Sequence, residues 1–120
     1  MKYSFAQLAA LIGIPLCIAV GQILFKITST TISDKSAPQT LDALIHSPHF
    51  WAALVIYGSA TLAWIAAIKG IPISRAYMFM ALTFVYVPLF SRLALAERFT
   101  PQQLAGTAII VVGIIVSGLV

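Results

Sequence analysis

Apolar stretches without a charged side chain dominate the pattern along the chain. They run from Tyr3 to Phe25, from Ser36 to Ile68 with only Asp42 interrupting near the start, from Ala76 to Ser91, and from Phe99 to Val120. A helix rising about 1.5 Å per residue needs roughly 20 apolar residues to cross the hydrocarbon of a bilayer. The pattern therefore predicts an all-α membrane protein with four transmembrane helices, over about 4–26, 49–68, 73–95 and 101–120. The third is the most tightly bounded, because Arg75 and Arg92 stand about 25 Å apart along a helix and can snorkel to opposite interfaces. Strands of a membrane barrel would alternate in polarity over about ten residues, which these runs do not. The first run is too long for a cleaved signal peptide, and no small-x-small site follows it.

Local chemistry marks the same boundaries. Ser47-Pro48 supplies a cap and a first-turn proline for the second helix, which ends at Lys69-Gly70 before Pro72 opens the third. So short a connection makes the second and third helices an antiparallel hairpin. Thr100-Pro101-Gln102-Gln103 reads as a capping box with proline at the first helical position. The longest connection, Thr28 to Ser47, is polar, and within it Leu41, Leu44 and Ile45 are spaced to lay a turn of helix on the membrane surface.

Composition agrees with the pattern. Of 120 residues, 61% are hydrophobic and 8% charged, with a mean hydropathy of +1.03; a water-soluble globule of this size needs more polar surface. The formal charge of +4 is dispersed and forms no basic patch for nucleic acid. The single cysteine, Cys17, excludes an intrachain disulfide. Lysines and arginines are balanced between the two sides: Lys2, Lys69 and Arg75 against Lys35, Arg92, Arg98 and, at the edge, Lys26. A protein of one fixed orientation usually shows an excess on the cytoplasmic side, so the balance suggests dual topology. Small residues recur at Gly13, Cys17 and Gly21 in the first helix and at Gly106, Gly113 and Ser117 in the fourth. The first set suits packing within one unit, whereas the fourth helix, lacking any charge, is the better candidate for a dimer seam.

Catalysis has little to work with. Asp34, Asp42 and Glu97 all fall in loops or at helix ends. Asp42, His46 and His49 have helical spacing suited to a metal, but Pro48 breaks that face; no metal or cofactor is expected. Glu97, just before a capping box, either supports the positive end of the fourth helix or pairs with Arg92 or Arg98, with a transport role as the lesser reading. The informative set is basic and aromatic: Gln22 and Lys26 in the first helix, Trp64 in the second, Arg75, Tyr77, Tyr86 and Arg92 in the third. Interfacial belts and snorkelling account for most such residues, Arg92 among them. Lys26 and Arg75 stand out, flanking deep apolar stretches with no acid nearby, and the anion a membrane offers is a lipid phosphate. None of the four apolar cores contains Asp or Glu, the group that proton-coupled export of a cation requires.

The run GIPISRAYMFMALTFVYVPLFSRLALAERFTPQQLAGTAIIVVGIIVSG, Gly70 to Gly118, resembles the second half of an EamA-type module of the drug/metabolite transporter superfamily. Pro72, Ala76, Tyr77, Pro88, Glu97, the Thr100 box, Gly106 and Gly113 carry the resemblance, joined by VGQILFK in the first helix. The layout is closest to small-multidrug-resistance-like proteins of the ArnE/ArnF type, subunits of a flippase for undecaprenyl-phosphate-linked aminoarabinose in Gram-negative inner membranes. The resemblance implies a dimer of four-helix units, usually antiparallel, working by alternating access. It also carries over Gly21, Gln22, Lys26, Ala76 and Tyr77, and Arg75 more weakly, because that position varies within the family. Small multidrug exporters place a glutamate three residues before the glycine matching Gly21; here Ile18 stands there, which favours the lipid-flipping branch.

The resulting expectation is a multi-pass bacterial inner-membrane flippase for a polyprenyl-phosphate-linked sugar, as a homodimer or a heterodimer with a paralogue. Lys26 and Arg75, contributed by one or two protomers, would meet the phosphate, and Gln22, Tyr77 and Trp64 the sugar. The alternatives are a small cation exporter, with Trp64, Tyr77 and Tyr86 as an aromatic box, and a non-transporting accessory subunit.

Overall fold

A computed structural model describes residues 3–118, the side chain of residue 118 excepted. These residues form six helices: α1 (Phe5–Ile32), α2 (Ala37–Ile45), α3 (Pro48–Ala67), α4 (Ile73–Met80), α5 (Thr83–Leu95) and α6 (Pro101–Gly118). By length and composition α1, α3 and the pair α4–α5 are able to cross a membrane, while α6 is a shorter apolar helix. The last two positions of the fourth helix expected from the sequence, 119 and 120, lie outside the described residues.

Two helices depart from the expected bounds. Instead of ending near Lys26, α1 continues to Ile32 through a run of hydroxyl residues. There Thr28 Oγ1 donates to the Leu24 carbonyl at 2.9 Å, Ser29 Oγ to Lys26 at 2.6 Å, Thr30 Oγ1 to Ile27 at 2.6 Å and Thr31 Oγ1 to Thr28 at 2.7 Å. The hydroxyls bond back to the helix's own carbonyls, so a stretch that reads as a polar loop stays helical. The third span, expected unbroken over 73–95, is interrupted at Ala81-Leu82. Around the break the amides of Ala81, Leu82, Phe84 and Val85 bond three residues back rather than four. This tightening leaves the Met80 carbonyl without its usual amide, and Thr83 Oγ1 donates to it at 2.9 Å.

Caps fix the helix starts. Ser4 and Gln7 exchange two bonds of 3.1 Å at the head of α1. Ser47 accepts from the Phe50 amide at 3.3 Å, and Thr100 and Gln103 close a reciprocal box at 3.1 and 2.9 Å. The hydrophobic stretch in the long connection forms α2, joined to α3 by the Trp51 indole donating to the Ile45 carbonyl at 2.7 Å. At the end of α5, Ala96 adopts a left-handed conformation (φ 55°), and the amides of Ala96 and Glu97 return to the Ser91 carbonyl.

Helix α1 is the axis of the bundle, packing on α3, α4 and α5, while α6 leans on α4 and α5. Its contacts set the direction of every neighbour. Near its start, Tyr3 meets Phe79 edge-on at 5.6 Å and Gln7 Nε2 donates to the Lys69 carbonyl at 3.4 Å. In its middle, the Tyr86 hydroxyl donates to the Ile12 carbonyl at 3.3 Å. Further along, Gly21 and Gln22 meet Tyr57. Thus α3 runs antiparallel to α1, and α4–α5 runs parallel to it. Two buried clusters lie along this axis, Tyr3, Leu11, Ala76 and Phe79 towards one end and Ile14, Ala60 and Ala67 beyond it.

Candidate functional site

Between α1 and α3, Gly21, Gln22, Phe25 and Tyr57 form one cluster. A Cβ on Gly21 would stand 2.6 Å from Cε2 and 2.8 Å from Cδ2 of Tyr57, so only glycine admits the ring at this distance. The tyrosine ring also stacks on Phe25, with centroids 5.2 Å apart and planes at 26°. Its hydroxyl accepts a hydrogen bond from the Gln22 amide. The spacing of Gly21, Gln22 and Phe25 within one turn of α1 brings all three to the same tyrosine. In lipid, where helices gain little from burying apolar surface against each other, close approach and such bonds carry association, at roughly 0.6 to 1.7 kcal/mol per bond.

Lys26 follows one turn after Gln22 and is exposed. Among the described residues the one carboxylate within 4 Å of a basic side chain is Asp42, at 3.6 Å from His46, so no carboxylate neutralises Lys26. Ile18, one turn before Gln22, is half-buried against Ile14, Ala60 and Ala67. The face of α1 that carries an acid in proton-coupled exporters is here apolar packing.

The other candidates separate along the bundle. Arg75 and Tyr77 are exposed in the first turns of α4, at the end where Gln7 meets Lys69. Lys26 lies roughly 28 Å further along α1 than Gln7, so within one protomer the two cations occupy opposite ends. Trp64 is half-buried and packs against both core clusters. Tyr86 is tied to Ile12 and stacks on Phe90 at 6.4 Å. The three aromatic side chains thus have different neighbours within a protomer. Among the described glycines, only Gly21 is closely approached; a Cβ on Gly13, Gly106 or Gly113 would meet nothing within 4 Å. Glu97 pairs with neither Arg92 nor Arg98, and Arg92 instead lies over the Phe99 ring at 5.9 Å.

Tyr57 is the residue that reading the sequence missed. It lies in the middle of an apolar run, VIYGSA, where a lone tyrosine looks like lipid-facing or core filling. The only signal for it is in the partner helix, where a Gly-Gln pair needs something to approach the glycine and bond the amide.

The apolar helices are those of a multi-pass membrane protein, with Gln22 and Lys26 as polar positions along α1. The chain belongs to the EamA-like transporter family, whose model matches residues 3–119. Curated relatives include proteins named probable 4-amino-4-deoxy-L-arabinose-phosphoundecaprenol flippase subunit ArnE. That of Pseudomonas fluorescens is 32% identical over 72 residues, covering 60% of this chain and 63% of the relative. That of an Enterobacter species is 34% identical over 70 residues, covering 57% and 65%. That of Salmonella paratyphi B is 33% identical over 66 residues, covering 55% and 60%. The matched stretch therefore spans less than two thirds of the length of these relatives. No solved structure matches the chain.

Proposed function

We propose that this protein is a subunit of a bacterial inner-membrane flippase that carries a polyprenyl-phosphate-linked sugar between leaflets by alternating access. The observation that carries the reading is Lys26: an exposed, unneutralised cation one turn from a Gln22 that Tyr57 holds in place. A phosphate crossing a bilayer without a partner meets a barrier, since an unpaired charge at the centre costs at least ~2.5 to 3.5 kcal/mol on insertion scales. A lysine and amide at the edge of the apolar zone lower that barrier for an anion. Ile18 removes the group that a proton-driven cation exporter would use, and the relatives named as flippase subunits support the lipid-linked sugar as substrate.

Arg75 joins Lys26 only across two protomers. An antiparallel pair, which the balanced lysines and arginines allow, brings the Arg75 end of one copy to the Lys26 end of the other. The word subunit in the relatives' names supports a partner, and a paralogue would serve in the same geometry as a second copy. The prenyl tail stays in lipid while the sugar and phosphate move along the α1 face.

The test is flipping of a fluorescent polyprenyl-phosphate sugar in proteoliposomes containing the protein with its partner. Lys26→Ala is expected to abolish flipping while leaving assembly intact, and Lys26→Arg to retain most of it. Undiminished flipping by Lys26→Ala overturns the assignment. Flipping by this chain alone would exclude a purely accessory role.

A further inference from the structure

A second feature lies away from the Gln22–Tyr57 cluster. Between α5 and α6, which the 96–100 connection joins, opens a crevice of about 590 Å3. Its walls are apolar, with Phe84, Pro88 and Leu89 from α5 facing Leu104 and Ile110 from α6. Gly106 lines it as well, and a Cβ there would meet nothing within 4 Å, so the glycine leaves the space open. The rim is polar: Glu97, Arg98 and Gln103 line it, and Phe99 beside them carries Arg92 over its ring at 5.9 Å. Neither arginine is paired with Glu97, so Arg98 on the rim and Arg92 over the rim's Phe99 together outweigh one carboxylate.

We propose that this crevice binds an anionic phospholipid of the surrounding bilayer, one chain between α5 and α6 and the headgroup phosphate against Arg98 and Arg92. The arrangement matches such a molecule from end to end. Arg92 stands in the last turn of α5 and Arg98 in the connection that follows it, at the level of an interface, and the apolar walls run from there towards the bilayer centre. Guanidinium suits phosphate through paired N–H donors. A flexible acyl chain follows an apolar slot of this kind and brings a phosphate to the guanidinium groups at its rim. The membrane-spanning helices of a second copy carry no carboxylate that would meet them there. The site does not rest on the transport reading, and the variants that test it leave Gln22, Lys26 and Tyr57 untouched.

The experiment measures lipid retained by the purified full chain in detergent, by native mass spectrometry, with phosphatidylglycerol and phosphatidylcholine of identical chains. Wild type is expected to retain phosphatidylglycerol preferentially, by about fivefold for each arginine engaged. The double variant Arg92→Gln/Arg98→Gln is expected to bind the two lipids equally. Gly106→Leu, which fills open space, is expected to lose both, and Thr107→Leu, on the same wall, serves if the first variant loses its helicity. Millimolar inorganic phosphate is expected not to displace the lipid. Absence of headgroup preference in wild type, full preference in the arginine variant, or unchanged lipid binding in a folded crevice-filled variant overturns the proposal. Displacement by phosphate alone overturns it too, by reducing the site to a simple anion site.

Discussion

The ring of Tyr57 lies against the backbone of Gly21 at a distance that no other residue at position 21 would permit, 2.6 Å from a hypothetical Cβ. Contact here is with the ring's own atoms, and that ring also stacks on Phe25 of the same helix as Gly21. Turning away from position 21 gives up that stack. Gly21→Ala is therefore expected to push α3 from α1, destabilising the protein by about 1 to 3 kcal/mol as overpacking does. Unfolding in mixed micelles measures the loss. In a Tyr57→Ala background the same alanine should cost far less, and a double-mutant cycle showing simple additivity would contradict the contact.

Tyr57→Phe separates the ring from its hydroxyl. Stacking on Phe25 and packing on Gly21 survive, while Gln22 loses its partner. The expected stability loss is small, about 0.6 to 1.7 kcal/mol, the range for side-chain bonds between helices in lipid. Transport should fall more than stability, because a free Gln22 amide no longer holds one orientation next to Lys26. Equal and minor effects on both would make Tyr57 a packing residue alone.

These two residues also show where sequence reading reaches and where it stops. Gly21, Gln22 and Lys26 are legible because each is unusual in an apolar helix. Tyr57 is not, since its role depends on a contact 35 positions away in sequence, and one aromatic residue among aliphatic ones has no periodic signature. The helix starts at Ser47 and Thr100 could be read because caps are local chemistry, decided within three residues. The break at Ala81-Leu82 was hidden because its stabilising bond, Thr83 to Met80, uses a threonine that looks like any other β-branched residue in a membrane helix. The extension of α1 past Lys26 was hidden for a related reason: hydroxyls bonding their own helix are indistinguishable in sequence from a polar loop. Arg75 and Lys26 could be placed at opposite ends from the helix count alone, and the contacts of Gln7 with Lys69 and of Gln22 with Tyr57 agree, by running α3 antiparallel to α1.

Ala96 ends α5 in the left-handed region, at φ 55°, where a Cβ crowds the following carbonyl at a cost of roughly 1 to 2 kcal/mol. Its side chain is exposed, so little packing is lost with the methyl. Ala96→Gly is expected to stabilise the protein by about 1 kcal/mol, the strain relieved less the entropy that glycine adds to the unfolded chain. Thermal unfolding in detergent should move upward. Proline at the same position cannot adopt this φ and should destabilise instead.

Tyr3 offers the opposite kind of defect. Its ring is buried, 8% exposed, against Phe79 with the planes at 88°. Among the described residues, its hydroxyl is a buried side-chain polar group without a hydrogen-bond partner. A hydroxyl buried in this way costs about 1 to 3 kcal/mol in lost solvation, whereas the ring itself contributes packing to the cluster with Leu11 and Ala76. Tyr3→Phe should keep the edge-to-face contact and remove the cost, raising stability by about 1 kcal/mol or more. Tyr3→Ala should lower it by about 3 to 5 kcal/mol, the usual loss for an aromatic ring deleted from a core. The two variants, measured together by unfolding in mixed micelles, apportion the residue between ring and hydroxyl. A Tyr3→Phe variant less stable than wild type would mean that the hydroxyl is bonded in the membrane, and that this end of α1 is held by a polar contact as well as by the aromatic pair.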